Sequence, residues 1–410
     1  MKLLLLIINF LFFISSLYSQ DTLRIATYNA LKFPDSSGQI RLQYFRTVID
    51  ALDPDILVLQ EITSRTGADL FLNEVLNYQE QFLYTASPYE GGFDTNNMLY
   101  YKSRSFSLES NRQIKTSLRD ISEYVLRVRV NDNMPNLWIY SAHLKAGSDP
   151  ENARQRHNDA ILFRAQLDKL PNNTNFFVVG DMNFYSHTEA GFITLTAGGS
   201  GQCFDPADKI GNWHNNKNFA KYHTQSTRTV EVYDGSTGGM DDRFDFILVS
   251  DDLISPEELF CLKSSYKSFG NDGFHFNTSI NSGPNAVVPA NVANALYYAS
   301  DHLPVSLDFV WNDPNNVESQ SQIIESFHVA AFPNPFNSDI SIQLNLVHDE
   351  QVQIYIYDLL GRMVGEILNR HMQTGEHVVK WSSRDVESGL YICRIVTGEQ
   401  SKQLKLMLIK

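Results

Sequence analysis

The chain has few cysteines, no excess of positive charge and, past its first residues, no long apolar run, and each shortage removes a class of protein. Three cysteines in 410 residues, Cys203, Cys261 and Cys393, are too few for a disulfide scaffold, so the fold must rest on its apolar core. Cys203 and Cys261 could pair in an oxidising compartment, a point that sequence alone leaves open. Lys and Arg number 33 against 47 Asp and Glu, a net charge of −14, so there is no global positive field to draw in polyanions. Any polyanion has to be held by a local site. Acidity remains compatible with phosphate chemistry, because clustered carboxylates hold a divalent cation and the cation then faces the phosphate. A P-loop and an HExxH pattern are both missing, so nucleotide-driven and zincin-type chemistry have no motif to rest on.

The longest apolar run stands at the start. Lys2 precedes residues 3–13, interrupted only by Asn9, and Ser15, Ser16 and Ser19 follow. This is the layout of a Sec signal peptide over residues 1–20, cleaved near Ser19 or Gln20. It falls well short of the ~20 apolar residues that span a bilayer, so the expectation is an exported chain with no stable membrane span.

The remainder, in a chain that is 43% hydrophobic, suits one large domain plus a smaller one. Short runs rich in β-branched and aromatic residues alternate with amphipathic stretches, as at residues 23–28 and then 45–52, which reads as mixed α and β. Residues 151–170 place Ile161, Leu162, Ala165 and Leu167 at helical spacing, with Arg154 and Arg156 elsewhere, and stop before Pro171. That predicts a surface helix. It leads into the apolar strand 175–180, which ends at Gly180 and Asp181. Residues 312–325 turn to Asn, Asp, Ser and Gln and read as a linker. Beyond them, alternating runs such as 352–357, followed by the turn signal Asp358-Leu359-Leu360-Gly361, predict a small β-sandwich. The expected plan is a signal peptide (1–20), a catalytic domain (21–311), a linker (312–328) and a terminal domain (329–410).

Four clusters end predicted strands with the ligands that a hard cation and a phosphate require. Asn29 offers an amide carbonyl to a cation, although an isolated Asn at a strand end is commonly a turn former. Glu61 follows the apolar strand of residues 54–60 and puts a carboxylate at a sheet edge. In Gly180-Asp181-Met182-Asn183, alternation turns Asp181 and Asn183 to one cavity and Met182 into the core. Asp301 and His302 are adjacent, and neither is comfortably buried without a partner. One can bind metal while the other moves a proton. Asp245 sits in an otherwise apolar strand and needs a partner, for which an imidazole is well suited. The Gly-, His- and Asn-rich stretch 184–242 adds Trp213 and Arg228, the first candidates to stack on a base and neutralise phosphate. The alternative is a loop packed by its own aromatics.

With His143 in Ser141-Ala142-His143-Leu144-Lys145, these positions resemble, in order and spacing from about residue 23 to 309, the endonuclease/exonuclease/phosphatase superfamily. The resemblance implies an α+β fold, a four-layer α/β/β/α sandwich, with Mg2+ as cofactor and Mn2+ or Ca2+ as alternatives. It places Asn29, Glu61 and Asp301 around the metal, and Asp181 and Asn183 against the attacking water and the phosphate. His302, oriented by Asp245, activates the water or stabilises phosphoryl charge; Asp181 and His302 stay unranked as the base. Abasic-site endonucleases carry tyrosine where this chain has His143, whereas deoxyribonuclease-, sphingomyelinase- and inositol-phosphatase-like members carry histidine. The implied role of His143 is to protonate or hydrogen-bond the leaving oxygen, with Glu90 or Asp94 as candidates to orient it.

Phe332-Pro333-Asn334-Pro335-Phe336, Tyr357-Asp358-Leu359-Leu360-Gly361-Arg362, Ser388-Gly389-Leu390-Tyr391 and the tail 405–410 resemble the sorting domain of the type IX secretion system. That implies the secretion machinery as a partner and no part in catalysis; an accessory carbohydrate-binding sandwich is the alternative. The functional expectation is a secreted metal-dependent phosphodiester hydrolase acting on extracellular DNA or RNA. Hydrolysis of sphingomyelin, phospholipid or inositol phosphates is the second reading, and a surface adhesin that kept the fold without catalysis is the third.

Overall fold

The computed structural model describes residues 22–410 apart from 130–135, 256–258, 312–327, 347–348, 359–361, 385 and 398–399. The expected signal peptide and linker, and most of the turn at 358–361, lie outside the described residues. The chain divides into two compact units, Met1–Asp313 and Pro314–Lys410.

In the first unit the elements run β1 (Thr22–Phe33), α1 (Gly38–Leu52), β2 (Ile56–Ile62), α2 (Arg65–Phe71), β3 (Tyr84–Ala86), β4 (Asn96–Lys102), β5 (Phe106–Ile114) and β6 (Ile121–Val128). They continue with β7 (Leu137–His143), α3 (Pro150–Leu167), β8 (Phe176–Asp181), α4 (Ala190–Thr196), β9 (Asp245–Val249), α5 (Asp251–Ile254), β10 (Leu259–Ser268), α6 (Ala290–Ala299) and β11 (Val305–Trp311). One sheet has the order β10-β11-β1-β2-β4-β3, the other β5-β6-β7-β8-β9. The central pairs β1·β2 and β7·β8 are parallel.

Strand alternation builds the layers. Ile25, Val58, Ile139 and Val179 belong to one buried cluster between the two sheets. Their neighbours Ala26, Tyr28, Leu57 and Leu59 point the other way, onto Phe45 and Val48 of α1 and Leu296 of α6. On the second sheet Tyr140 and Val178 pack against Ala160, Phe163 and Leu167 of α3. A strand covered on both faces must be apolar at every position, which is why these strands read as continuous hydrophobic runs. Each large side chain so enclosed contributes about 1.5–3 kcal/mol. The result is the four-layer α/β/β/α sandwich.

One sequence expectation needs correction, and one open point is decided. In α3, Ile161 and Leu162 are 47% and 45% exposed, while Arg156 and Arg164 are buried. The guanidiniums satisfy carbonyls that no backbone donor reaches: Arg156 Nη1 bonds those of Lys145 and Gly147 at 2.7 and 2.8 Å, and Arg164 Nη1 those of Thr194 and Ala197 at 3.0 and 2.6 Å. A rigid five-donor fork serves that task better than an aliphatic side chain. Cys203 and Cys261 do not pair; both are free and lie in different hydrophobic clusters.

The second unit consists of β12 (His328–Phe332), β13 (Asp339–Leu346), β14 (Glu350–Tyr357), β15 (Met363–Met372), β16 (Gly375–Ser382), β17 (Gly389–Thr397) and β18 (Gln400–Leu408). They form two antiparallel sheets, β12-β13-β16 and β15-β14-β17-β18, around Ile342, Ile354, Trp381, Ile395 and Leu406. Among the described residues no helix is long and apolar enough to cross a membrane.

Candidate active site

Register places the polar row. His143 at the end of β7 stands opposite Asp181 at the end of β8, and Asp181 stands opposite Asp245 at the start of β9. Three chemistry-bearing side chains therefore line up across three adjacent strands. Gly180, just before Asp181, has φ +127°, and a Cβ there would lie 2.1 Å from the carbonyl oxygen of Ala142. Only glycine allows β7 and β8 to approach this closely.

The other sheet supplies the facing side. The β1·β2 register shifts between Asn29 and Phe33, and Glu61 takes a left-handed conformation with φ 61°. Such a bulge re-aims a side chain at the rim of a sheet. Asn29 Nδ2 then bridges the sheets, donating to Glu61 Oε1 and to Asp181 Oδ2, each at 3.1 Å. The backbone N–H of Lys32 donates to Glu61 Oε2 at 2.9 Å. Asn183, with φ 52°, donates its side-chain amide to the Leu144 carbonyl at 3.2 Å and its backbone N–H to Asp181 Oδ1 at 3.2 Å.

The segment between α6 and β11 brings in Asp301 and His302. His302 Nδ1 lies 2.7 Å from Asp245 Oδ2, with both side chains enclosed, and His302 Nε2 lies 3.7 Å from Asp181 Oδ2. Asp301 Oδ2 accepts from the Ser236 backbone N–H at 2.6 Å, while its Oδ1 is buried with no protein partner. His143 Nε2 lies 3.8 Å from Glu61 Oε1 and 3.6 Å from Asp181 Oδ2; its Nδ1 is buried and has no partner. Neither carboxylate expected to orient His143 does so, since Asp94 is engaged by Arg119 at 2.7–3.1 Å and Glu90 is exposed.

Electrostatics follow from crowding. Burial, then the nearby Asp301, raises the Glu61 carboxyl above its usual range. Burial pushes Asp181 to about 7; His302 works against this rise, and Asp245 and Glu61 add to it. His143 is held well below the ordinary imidazole value by burial, assisted by Arg119, His302 and Lys145, and is neutral at pH 7. Burial also opposes charge on His302, but Asp245 and Asp181 outweigh it and raise its value.

Asp181, Asp245 and His302 present ligand atoms within 4.8 Å of one another. Asp245 Oδ2 and His302 Nδ1 are taken up by their mutual hydrogen bond, which leaves Asp245 Oδ1, buried without a partner, and His302 Nε2 as the atoms this group could offer a cation. Glu61 and Asp301 offer a second set of oxygens to a hard cation. Burial, then Asp301, raises the Glu61 carboxyl and the buried Asp301 Oδ1 lacks a donor, so these carboxylate oxygens suit such a cation; Asn29, expected to offer its amide oxygen, instead turns its NH2 to Glu61 and Asp181 and accepts the Leu31 N–H on Oδ1 at 2.9 Å.

Trp213 and Arg228, expected at the substrate, are both fully buried. Trp213 packs on Phe192 and Phe246 and donates from Nε1 to the Phe184 carbonyl at 2.6 Å. Arg228 bonds the carbonyls of Tyr297 and Asp234 at 3.4 and 3.1 Å, which ties down the loop whose Ser236 N–H reaches Asp301. The 184–242 stretch thus adds Trp213 to the core over the second sheet, and neither side chain is free to meet a ligand. Two residues that sequence reasoning missed stand in the site. Gln225 touches both Asp301 and His302, and buried Gln60 joins the sheets by bonding Thr27 and Ser141 at 3.0 and 3.2 Å. Thr224-Gln225-Ser226 carries no pattern that would single out its glutamine.

The Endonuclease/Exonuclease/phosphatase family matches residues 26–302, well over half of the chain, and the chain belongs to this family. Residues 330–410 match the secretion system C-terminal sorting domain. No curated protein matches the chain. Among solved structures, D. rerio TDP2 complexed with a single-strand DNA product is 14% identical over 70% of this chain and 98% of that one, with a TM-score of 0.48. A Bacteroides thetaiotaomicron protein of the same family is 14% identical over 72% and 100%, TM-score 0.46. The catalytic domain of human Nocturnin with bound sulfate is 15% identical over 71% and 95%, TM-score 0.45.

Proposed function

We propose that this chain is an exported, divalent-metal-dependent phosphodiester hydrolase that cleaves extracellular DNA or RNA by in-line attack of water. The observation that carries this reading is the row His143, Asp181, Asp245 across three strands, faced by Asn29 and Glu61 and closed by His302 locked to Asp245 at 2.7 Å. Glu61 and Asp301 would hold the cation, with the Asn29 amide beside them bridging Glu61 to Asp181, magnesium by preference with manganese or calcium as alternatives. When bound, it polarises the phosphoryl and leaving oxygens. Asp181 and Asn183 hold the attacking water against the phosphate. With a value of about 7, Asp181 is matched to taking a proton at neutral pH. His302, oriented by Asp245, either shares that task or faces the developing phosphoryl charge. Neutral His143 lies across the row and meets the leaving oxygen. The signal peptide over residues 1–20 and the sorting domain over 329–410 carry the chain out through the type IX machinery.

The test is turnover by purified mature protein on plasmid DNA, RNA, sphingomyelin, an inositol phosphate and a phosphomonoester, each with several divalent metals. Magnesium-dependent cleavage of DNA or RNA that stops with chelator is expected. Turnover of lipid or monoester alone overturns the substrate reading, and no turnover of any ester overturns the hydrolase reading. His302→Ala and Glu61→Ala should each lower kcat by about 10²–10⁴-fold without lowering the melting temperature.

A further inference from the structure

We propose that Gln225 is a further phosphate-contacting residue of this site, its side-chain amide set between Asp301 and His302 to donate to the phosphoryl group. This deepens the phosphodiesterase reading and rests on it. Gln225 Nε2 lies 2.6 Å from His302 Nε2 and 3.4 Å from Asp301 Oδ2. The orientation of the amide follows from its neighbours. A carboxylate only accepts, so the Gln225 atom facing Asp301 is the NH2 group. His302 Nδ1 is bonded to Asp245 Oδ2, which also accepts, so Nδ1 carries a ring proton; this NH2, at 2.6 Å, selects the neutral ring, in which Nε2 presents a lone pair, against the pull of Asp245 and Asp181 toward the charged form.

His302 Nε2 is also the atom that faces Asp181, at 3.7 Å, across the space where water and phosphate meet in the proposed reaction. Gln225 therefore lies on the reacting side of the imidazole. A phosphoryl oxygen entering here is a stronger acceptor than a neutral ring nitrogen, because charge-assisted bonds are roughly twice as strong as neutral ones. The amide hydrogens then turn to the phosphate, and His302 Nε2 is left open to the water.

The backbone holds this donor in place. Gln225 N donates to the Asp242 carbonyl at 3.1 Å, and the Gln225 carbonyl accepts from Asp241 and Asp242 at 2.9 and 3.0 Å. Leu303 N donates to the Thr224 carbonyl at 2.7 Å, and Thr227 N to the Asp301 carbonyl at 3.1 Å. The hydroxyl of Thr224 accepts from the backbone N–H of Asp245 at 3.2 Å. The segment is stitched to the start of β9 on one side and to Asp301 and His302 on the other. Thr224, Ser226 and Thr227 are buried, whereas Gln225 is partly open. A donor fixed in advance is the arrangement that stabilises developing charge most effectively.

Gln225→Leu and the near-isosteric Gln225→Glu separate this role from mere support of His302. As a phosphate donor, Gln225→Leu should lower kcat by about 10²–10³-fold. It should also weaken competitive inhibition by inorganic phosphate by about tenfold or more, the scale of a hydrogen bond to a charged group. Gln225→Glu, which sets a carboxylate against the phosphate, should be slower still, with a melting temperature close to that of the parent. If Gln225 only holds His302, the carboxylate would hold a protonated imidazole at least as well, and Gln225→Glu would outperform Gln225→Leu. That order, or a Gln225→Leu variant within threefold of the parent in both kcat and phosphate inhibition, overturns the proposal. Phosphate binding to magnesium-loaded parent and variants, followed by calorimetry, gives a readout independent of turnover. Equal binding overturns the Gln225 assignment even if the parent cleaves no diester, a failure that belongs to the phosphodiesterase reading.

Discussion

Asp245→Asn isolates the contribution of the carboxylate behind His302. Asp245 is fully enclosed and makes a 2.7 Å hydrogen bond to Nδ1, so the pair is charge-assisted and shielded from water. Asparagine keeps the shape but replaces one carboxylate oxygen with an NH2. Facing Nδ1 with that group drives the ring proton to Nε2, where it meets the NH2 of Gln225 at 2.6 Å. The tautomer is then wrong for accepting a proton, and an equivalent carboxylate-to-amide change in a serine-protease triad costs about 10⁴-fold. We expect kcat to fall by about 10²–10⁴-fold, or about 2.7–5.5 kcal/mol of barrier. Folding should not suffer. The shape is kept, and Asp245 Oδ1, buried without a partner, has no protein hydrogen bond to lose. The assay is kcat and KM on a chromogenic phosphodiester at saturating magnesium, with His302→Ala and the double variant alongside. Because the carboxylate acts through the imidazole, the double variant should be no slower than His302→Ala. A single variant within threefold of the parent, or multiplying losses in the double, would refute the dyad.

Arg243→Ala should destabilise the catalytic unit by about 3–5 kcal/mol in urea denaturation, because it leaves the enclosed Asp205 carboxylate, now paired at 2.8 Å, without its counter-charge and with only the Ala207 N–H at 3.1 Å; a loss below about 1 kcal/mol contradicts the pairing argument. Gly180→Ala should lower stability by more than about 3 kcal/mol, since its Cβ would have to displace the Ala142 carbonyl from 2.1 Å. A parental melting temperature in that variant would show that β7 and β8 do not approach as described. Magnesium at a hundredfold excess over its dissociation constant should stabilise the fold by about 2.7 kcal/mol, read as a rise in melting temperature that chelator reverses and Glu61→Ala abolishes. No such rise at millimolar magnesium counts against a metal held by Glu61 and Asp301.

What was legible in the sequence was local. Residues 23–28, 176–180 and 352–357 all lie in strands, because a strand's environment is written in its own alternation or in its unbroken apolar run. Polar residues at the ends of such runs, Glu61, Asp181 and Asp301 among them, stood out because burial there is costly without a partner. Their convergence belongs to the tertiary structure, which sets His143, Asp181 and Asp245 in one row through strand register and bridges the two sheets with Asn29. Where one residue's place depended on a distant one, pattern misled. Trp213 and Arg228 looked like ligand-binding residues but are buried, Trp213 in the core over the second sheet and Arg228 on the carbonyls of Tyr297 and Asp234, and Arg156 and Arg164 are buried because loop carbonyls need their donors. Gln225 shows the same limit, since its neighbours Asp301 and His302 lie more than seventy residues away. Composition and periodicity determined which segments are strands and helices, and which carboxylates would need partners. Tertiary structure alone decided which partners those are, because a hydrogen bond between distant residues leaves no period in the chain that makes it.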